Sequence, residues 1–266
     1  MAFPVIQASN VSKTNGASSH TASLPASIVA GEFLVLFFTC DSSATITTPS
    51  GWTSVKDYSN GSRRLAMFTK TATGSEGATV AVTTSGTTDS VHASYRVSTN
   101  NYTVTVSSGA NGSPSDNTPD PDTLTNGAYG KCVWFAVCGA GANVTAYPTN
   151  YNTNTRTETQ DSFSLGVGTR STETDVQNPS AFTTSGNTAW VAFTASLAPQ
   201  TPYIGSFSLL TMASTIFSIG ISYGATATTT LLTMASQIFT PTTKTTNKTN
   251  WQNETKPTTS WTNEQL

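Results

Sequence analysis

Two uninterrupted apolar stretches, EFLVLFFTC at 32–40 and GKCVWFAVCG at 130–139, restrict what this chain can become more than any other feature. Both are short and rich in aromatic and β-branched residues. They lack the polar stripe of an amphipathic helix, so each suits a strand covered on both faces. A strand of that kind needs neighbours to pair with and layers to cover it. The neighbours are legible as RRLAMFTKTA (63–72), ATVAVTTS (78–85), SVHASYRVS (90–98) and TAWVAFTASLAP (188–199), separated by clusters of Gly, Asn, Ser and Asp. No stretch of 1–200 carries a helix-length apolar stripe. Short strands at regular spacing predict an all-β fold, an antiparallel β-sandwich of jelly-roll or immunoglobulin-like type over residues 1–200. The breaker-rich segment 107–130 is predicted to be a long loop over the surface, and TGSEG (73–77) a hairpin loop. PSGW (49–52) predicts a tight turn that places Trp52 in the core or on its rim.

Beyond residue 200 the texture changes. The nonapeptide LLTMASxIF occurs at 209–217 and again at 231–239, followed by a looser repeat around Trp251 and Trp261. Leu209, Met212, Ala213 and Ile216 would share a helical stripe, and Leu210, Met212 and Ile216 would share a strand face. The β-branched, proline-interrupted surroundings favour extended structure. So short a repeat cannot bury its own apolar face and must lean on something. Leu209, Leu210, Ile216, Phe217, Leu231, Leu232, Ile238 and Phe239, with Trp251 and Trp261, are therefore candidate assembly anchors in a docking segment over 201–266. Extra strands padding the flank of the sandwich are the alternative. The polar end of the chain is expected to be ordered by whatever it docks on.

Only 10% of the 266 residues are charged, against about 25% in an average globular protein. A formal charge of -2 argues against a phosphate-binding face, so nucleic acid is not an expected partner. The longest apolar run falls far short of the roughly 20 residues that span a bilayer, and no membrane insertion is expected. The opening Met1-Ala2-Phe3-Pro4 has no basic leader, which points to synthesis in a cytoplasm. Cys132 and Cys138 lie on one strand, too far apart to bridge. Cys40 could reach either, but free buried thiols are the expectation for a chain made there.

The stretches TITTPSGWTSV (45–55), LAMFTKTATGSEGATVAVTTSG (65–86), VHASYRVS (91–98) and NPSAFTTSGNTAWVAFTASLAP (178–199) resemble a β-sandwich domain of tailed-bacteriophage virion structural proteins. The segment from 203 resembles terminal segments of phage structural proteins. The resemblance implies residence in a virion and partners among other virion proteins. It implies no cofactor.

Residues that could carry chemistry are few. Asp89, Ser90 and His92 lie together in DSVH, but a triad converges from different elements and no nucleophile elbow is present. His92 is expected at a sheet surface. Asp116, Asp120 and Asp122 could offer oxygens to a cation but lack a binding-loop spacing, so a solvated loop is expected. Glu32, Asp57, Glu76, Glu158 and Asp161 are too scattered to nominate a catalytic pair. With no reaction identified, the resemblance implies a non-enzymatic structural component of a virion, a tail or fibre-like appendage subunit, and the repeats an expected homo-oligomer. A capsid decoration protein is one alternative. A glycan-binding adhesin is another, using Tyr147, Asn150, Tyr151, Asn152 and Arg156 to stack on and hydrogen-bond to a host surface saccharide.

Overall fold

The computed structural model describes residues 2–99, 101–112, 116–127, 130–161 and 163–200. The compact unit ends at Pro202, and both nonapeptides, Trp251, Trp261 and the predicted order of the chain's end lie outside the described residues. The first half contributes β1 (Ile6–Ser23), β2 (Phe33–Cys40), β3 (Ile46–Thr47), β4 (Thr53–Ser59), β5 (Arg64–Thr71) and β6 (Thr79–Val97). The second contributes β7 (Tyr102–Val106), β8 (Ala110–Gly112), β9 (Leu124–Thr125), β10 (Cys132–Ala140), β11 (Val144–Ala146), β12 (Thr153–Gln160), β13 (Phe163–Thr172), β14 (Val176–Gln177), β15 (Thr183–Thr184) and β16 (Trp190–Pro199). All pairings are antiparallel, and the unit is a β-sandwich.

Each sheet is drawn from one half of the described body. Sheet 1 runs β1-β6-β2-β5-β4 and sheet 2 runs β12-β13-β10-β16-β7, which is the same order read from the other edge. The register repeats as well. Phe33 faces Val97 in sheet 1 as Val133 faces Leu197 in sheet 2, and Thr53 faces Thr69 as Thr153 faces Thr169. The sequence TTSG at 83–86 recurs at 183–186 and makes the same bonds. Ser85 N–H donates to Thr45 O (2.9 Å) and Ser185 N–H to Asn143 O (2.8 Å), while the Thr84 and Thr184 hydroxyls donate to Gly86 O and Gly186 O. The described body is therefore an internal duplication. The segments 65–86 and 178–199, read above as two separate signatures, contain counterpart strands of its halves.

The halves meet as an isologous pair does, with reciprocal contacts. Lys13 on the β1 edge reaches Glu158 (3.5 Å) on β12, and Asn111 on β8 donates to the hydroxyl of Tyr58 (2.6 Å), the β4 counterpart of Glu158. Between the sheets Phe37, Tyr95, Phe135 and Phe193 form a contiguous aromatic cluster with ring centroids 5.4–6.3 Å apart. Both outer faces are also covered, which is why β2, β10 and β16 are buried along their whole length. On sheet 2 the cover is the connecting loops, with Leu124, Tyr151 and Phe182 packed on Trp134 and Trp190. On sheet 1 it is the far ends of β1 and β6. Ser23 N–H donates to Ser12 Oγ (2.8 Å) and the Ser94 hydroxyl to Ser23 O (2.7 Å), so β1 doubles back over itself.

Four local expectations are corrected by this arrangement. ATVAVTTS and SVHASYRVS are one strand, β6, because the polar residues between them bulge from the β1 ladder without ending it. TGSEG is a crossover and not a hairpin, since β2 lies between β5 and β6. Segment 107–130 does not merely skirt the surface, because Pro119, Pro121, Leu124 and Asn126 are buried in the cover of sheet 2. The strands β1 and β6 are long, at 18 and 19 residues, because each serves both a sheet and its cover.

Trp52 is 9% exposed at the rim of the outer cluster of sheet 1, after a turn closed by Trp52 N–H to Pro49 O (3.0 Å) with Gly51 at φ 77°. That positive φ is the type II turn position where glycine carries no steric penalty. The three cysteines are buried and free.

Candidate functional site

The described residues bring one group of chemically capable side chains together, a buried chain of hydrogen bonds that ties the doubled-back arm of β1 and β6 to sheet 1. Ser12 Oγ lies 3.0 Å from His92 Nδ1, and His92 Nε2 is 2.7 Å from Ser90 Oγ. Ser90 Oγ is in turn 2.7 Å from His20 Nδ1, and His20 Nε2 is 2.8 Å from Thr84 Oγ1. His20, Ser90 and His92 are fully buried, and Ser12 at the end of the chain is half-buried.

With both imidazoles neutral, the protons in this chain have one consistent arrangement. The Gly86 carbonyl can only accept, so the Thr84 hydroxyl donates to it and its oxygen must accept from His20 Nε2–H. His20 Nδ1 is then bare and accepts from the Ser90 hydroxyl. Ser90 Oγ accepts from His92 Nε2–H, His92 Nδ1 accepts from the Ser12 hydroxyl, and Ser12 Oγ accepts from Ser23 N–H. Both imidazoles are neutral Nε2–H tautomers assigned by the network. Phe38 stacks on His92 at 5.0 Å and meets His20 edge-on at 5.2 Å. Burial, then the proximity of His20, pushes the His92 pKa down to about 3. Burial lowers that of His20 too, partly offset by Asp89.

His92, expected at a sheet surface, is therefore a buried residue. Its strand carries a second layer on the face that sequence alternation alone would have left to solvent. Nor do Asp89, Ser90 and His92 form a triad. Asp89 accepts from Gly16 N–H (2.7 Å), and Ser90 Oγ points into the sealed relay. No local signal in the sequence marks His20, which completes the relay. It is distant in sequence from Ser90 and His92.

The duplicate half shows that this fold does not require the relay. The counterparts of Ser12, Ser90 and His92 are Ala110, Trp190 and Ala192, in the same register across β8 and β16. There the indole fills the space, and Trp190 Nε1–H donates to Asp116 Oδ2 (3.1 Å). Gly112 makes room for it, since a Cβ at that position would sit 2.0 Å from Trp190 Nε1.

The other candidates are dispersed. Asp116 is committed to Thr118 and Trp190, and its carboxyl is held below the usual range chiefly by the Thr118 hydroxyl. Asp120 is shifted upward by burial and by the charges of Asp122 and Asp116. No cluster of His, Cys, Asp and Glu with metal-holding geometry occurs among the described residues. The glycan candidates are corrected at their centre. Tyr151 is 1% exposed in the outer core of sheet 2, with its hydroxyl on Gln177 Oε1 (3.1 Å), because its turn is the counterpart of PSGW and tucks the ring inward as that turn does Trp52. Tyr147 is half-buried against Phe182 and bonds Thr157, Arg156 donates to Thr155 O, and Asn150 and Asn152 remain exposed.

No protein-family model, curated protein or solved structure matches this chain.

Proposed function

We propose that this protein is a non-enzymatic structural subunit of a bacteriophage virion, part of a tail or fibre-like appendage, which joins its neighbours through residues 201–266. The observation that carries the reading is the self-sufficiency of the body. Both faces of both sheets are covered from within, and the large apolar residues left exposed among the described ones are Val5, Val29 and Val176, at scattered positions. A body of this kind offers no broad apolar surface for assembly. Yet the chain writes LLTMASxIF twice beyond it, and two equivalent anchors support two-point attachment or equivalent grooves in a symmetric assembly. The sequence resemblance described above supplies the virion as the setting.

Light scattering on the full chain beside a chain ending at 202 tests the proposal. The full chain should form a defined homo-oligomer and the shorter chain a folded monomer with the same melting temperature. A monomeric full chain whose truncation unfolds would make the repeats part of the body's own core and remove the argument. The burial of Tyr151 withdraws the central stacking ring from the glycan alternative.

A further inference from the structure

We propose that the Ser12–His92–Ser90–His20–Thr84 relay is an acid-operated latch, whose protonation releases the doubled-back arm of β1 and β6 from sheet 1 and bares the apolar face beneath it. The arm is Ser19–Ser23 paired with Thr79–Thr83, with Ala17 paired to Thr88 at its base and Thr84 paired to Ile46 of β3. It brings Ala22 and Val82 onto Leu34, Leu36, Phe38 and Phe68 of the sheet's outer face.

The relay is a latch because of where its members lie. His20 and Thr84 belong to the arm, Ser12, Ser90 and His92 to the sheet, and the bond from Ser90 to His20 crosses between them. Its proton order can reverse to hold one buried charge, but two charged imidazoles would leave the Ser90 hydroxyl without an acceptor among them. Each imidazole has one bare nitrogen facing a hydroxyl that already donates to it. A proton on His20 Nδ1 reverses the relay, Ser90 accepting from it and donating to His92 Nε2, so that the His92 proton moves to Nδ1 and the charge stays buried. A proton on His92 Nδ1 displaces the Ser12 hydroxyl toward the half-buried end, and a second would place two cations with ring centroids 6.4 Å apart.

Asp89 relieves this in part, and the other surrounding charges are paired elsewhere or held neutral. On β6, Asp89 favours a charged His20, but its carboxylate is engaged by Gly16 N–H. On β1, Lys13 is turned to Glu158. On β2, burial holds the Cys40 thiol neutral with its pKa at about 11, and Asp41 pairs with Arg63. On β5, Arg64 pairs with Asp57. The arm itself, 17–24 and 78–84, contains no other ionisable side chain. Opening lets the imidazoles reach water and charge, so acid drives it.

The sign follows from linkage. His92 binds its proton at about 3 when closed and near 6.5 when open. Between those values the open arm takes up a proton that the closed arm refuses. The opening constant therefore rises about tenfold per pH unit below 6.5 for one histidine, and faster where His20 joins.

The duplicate half is a built-in control, since Ala110, Trp190 and Ala192 stand where the relay stands. The test is hydrogen exchange by mass spectrometry on the full chain from pH 7 to pH 4, corrected for intrinsic exchange rates. Peptides covering 17–24 and 78–88 should lose at least tenfold protection, while those covering 116–119 and 182–188 change less than twofold. In His20→Gln/His92→Gln that difference between halves should vanish. Asp89→Asn leaves the relay's own atoms in place and removes a carboxylate that helps the closed form carry a proton on His20. Acid opening of the arm should therefore be at least as large as in the native chain, and larger at pH 4. An equal acid response of both halves in the native chain, or weaker acid opening of the arm in Asp89→Asn, would overturn the latch.

Discussion

At Gly168 an added methyl group would lie 2.3 Å from the backbone oxygen of Tyr151, an atom that cannot swing aside. The counterpart position in sheet 1 is Phe68, buried near Trp52. One half fills its outer layer from the strand and the other by letting the Tyr151 turn descend onto a bare backbone. Gly168→Ala should therefore destabilise the body by about 1–3 kcal/mol in urea titration, as overpacking does, whereas Gly186→Ala, with open space around it, should not. A second residue-scale prediction concerns Glu76, whose side chain is 3% exposed. Burial would raise its pKa, but the Thr73 N–H, Lys70 and the Thr73 hydroxyl outweigh that and hold it at about 2. Its stabilisation is fully present above pH 4.5 and is lost as the pH falls through 2. Glu76→Gln should cost about 1.5–3 kcal/mol at pH 7, and its melting temperature should converge on that of the native chain at pH 2. Of these features Trp52 was legible in the sequence, because a proline-glycine turn before an aromatic residue is local. Tyr151 was not. Its turn, YPTNY, lacks the glycine that made the first one recognisable, and Asn150 takes the positive φ instead, at 67°.

Among elements, the two TTSG corners allow one fold to be compared with itself. Thr184 uses its hydroxyl on backbone oxygens alone, those of Asn117 and Gly186. Thr84 does the same toward Gly86 and in addition accepts from buried His20. Thr184→Val should cost about 0.5–1.5 kcal/mol, the worth of a neutral hydrogen bond. Thr84→Val leaves a buried N–H without a partner and should cost about 1–3 kcal/mol beyond that. Equal losses in equilibrium unfolding would contradict the proton order assigned to the relay. The apolar strands β2, β10 and β16 and the aromatic β6 were legible as strands, since continuous apolar or alternating runs are properties of neighbouring residues. The long reach of β1 and β6 was not, because a strand that leaves its sheet to become the cover does so without changing its local pattern.

For the molecule as a whole, duplication explains why a lightly charged chain can cover all four sheet faces. Each half presents one apolar face to its twin and shields the other with its own polypeptide, leaving hydroxyls and amides for solvent. Acid should act on this body in two stages. Loss of the arm follows His92 between pH 6.5 and 3, and a further loss follows Glu76 below 4.5. Circular dichroism and arm-specific hydrogen exchange should separate the two, with the first stage sparing sheet 2.

By itself the sequence determined that the chain makes strands, which ones would be buried on both faces, and where the composition breaks near residue 200. Each of these depends on residues within a few positions of one another. Only the tertiary structure decided that sheet order repeats between halves, that His20 meets Ser90 and His92, and that Tyr151 turns inward. Those outcomes depend on which distant strands pair and on what covers their second face. Period-two alternation distinguishes the two sides of a strand, but it cannot say whether the far side meets water or another layer of the same chain.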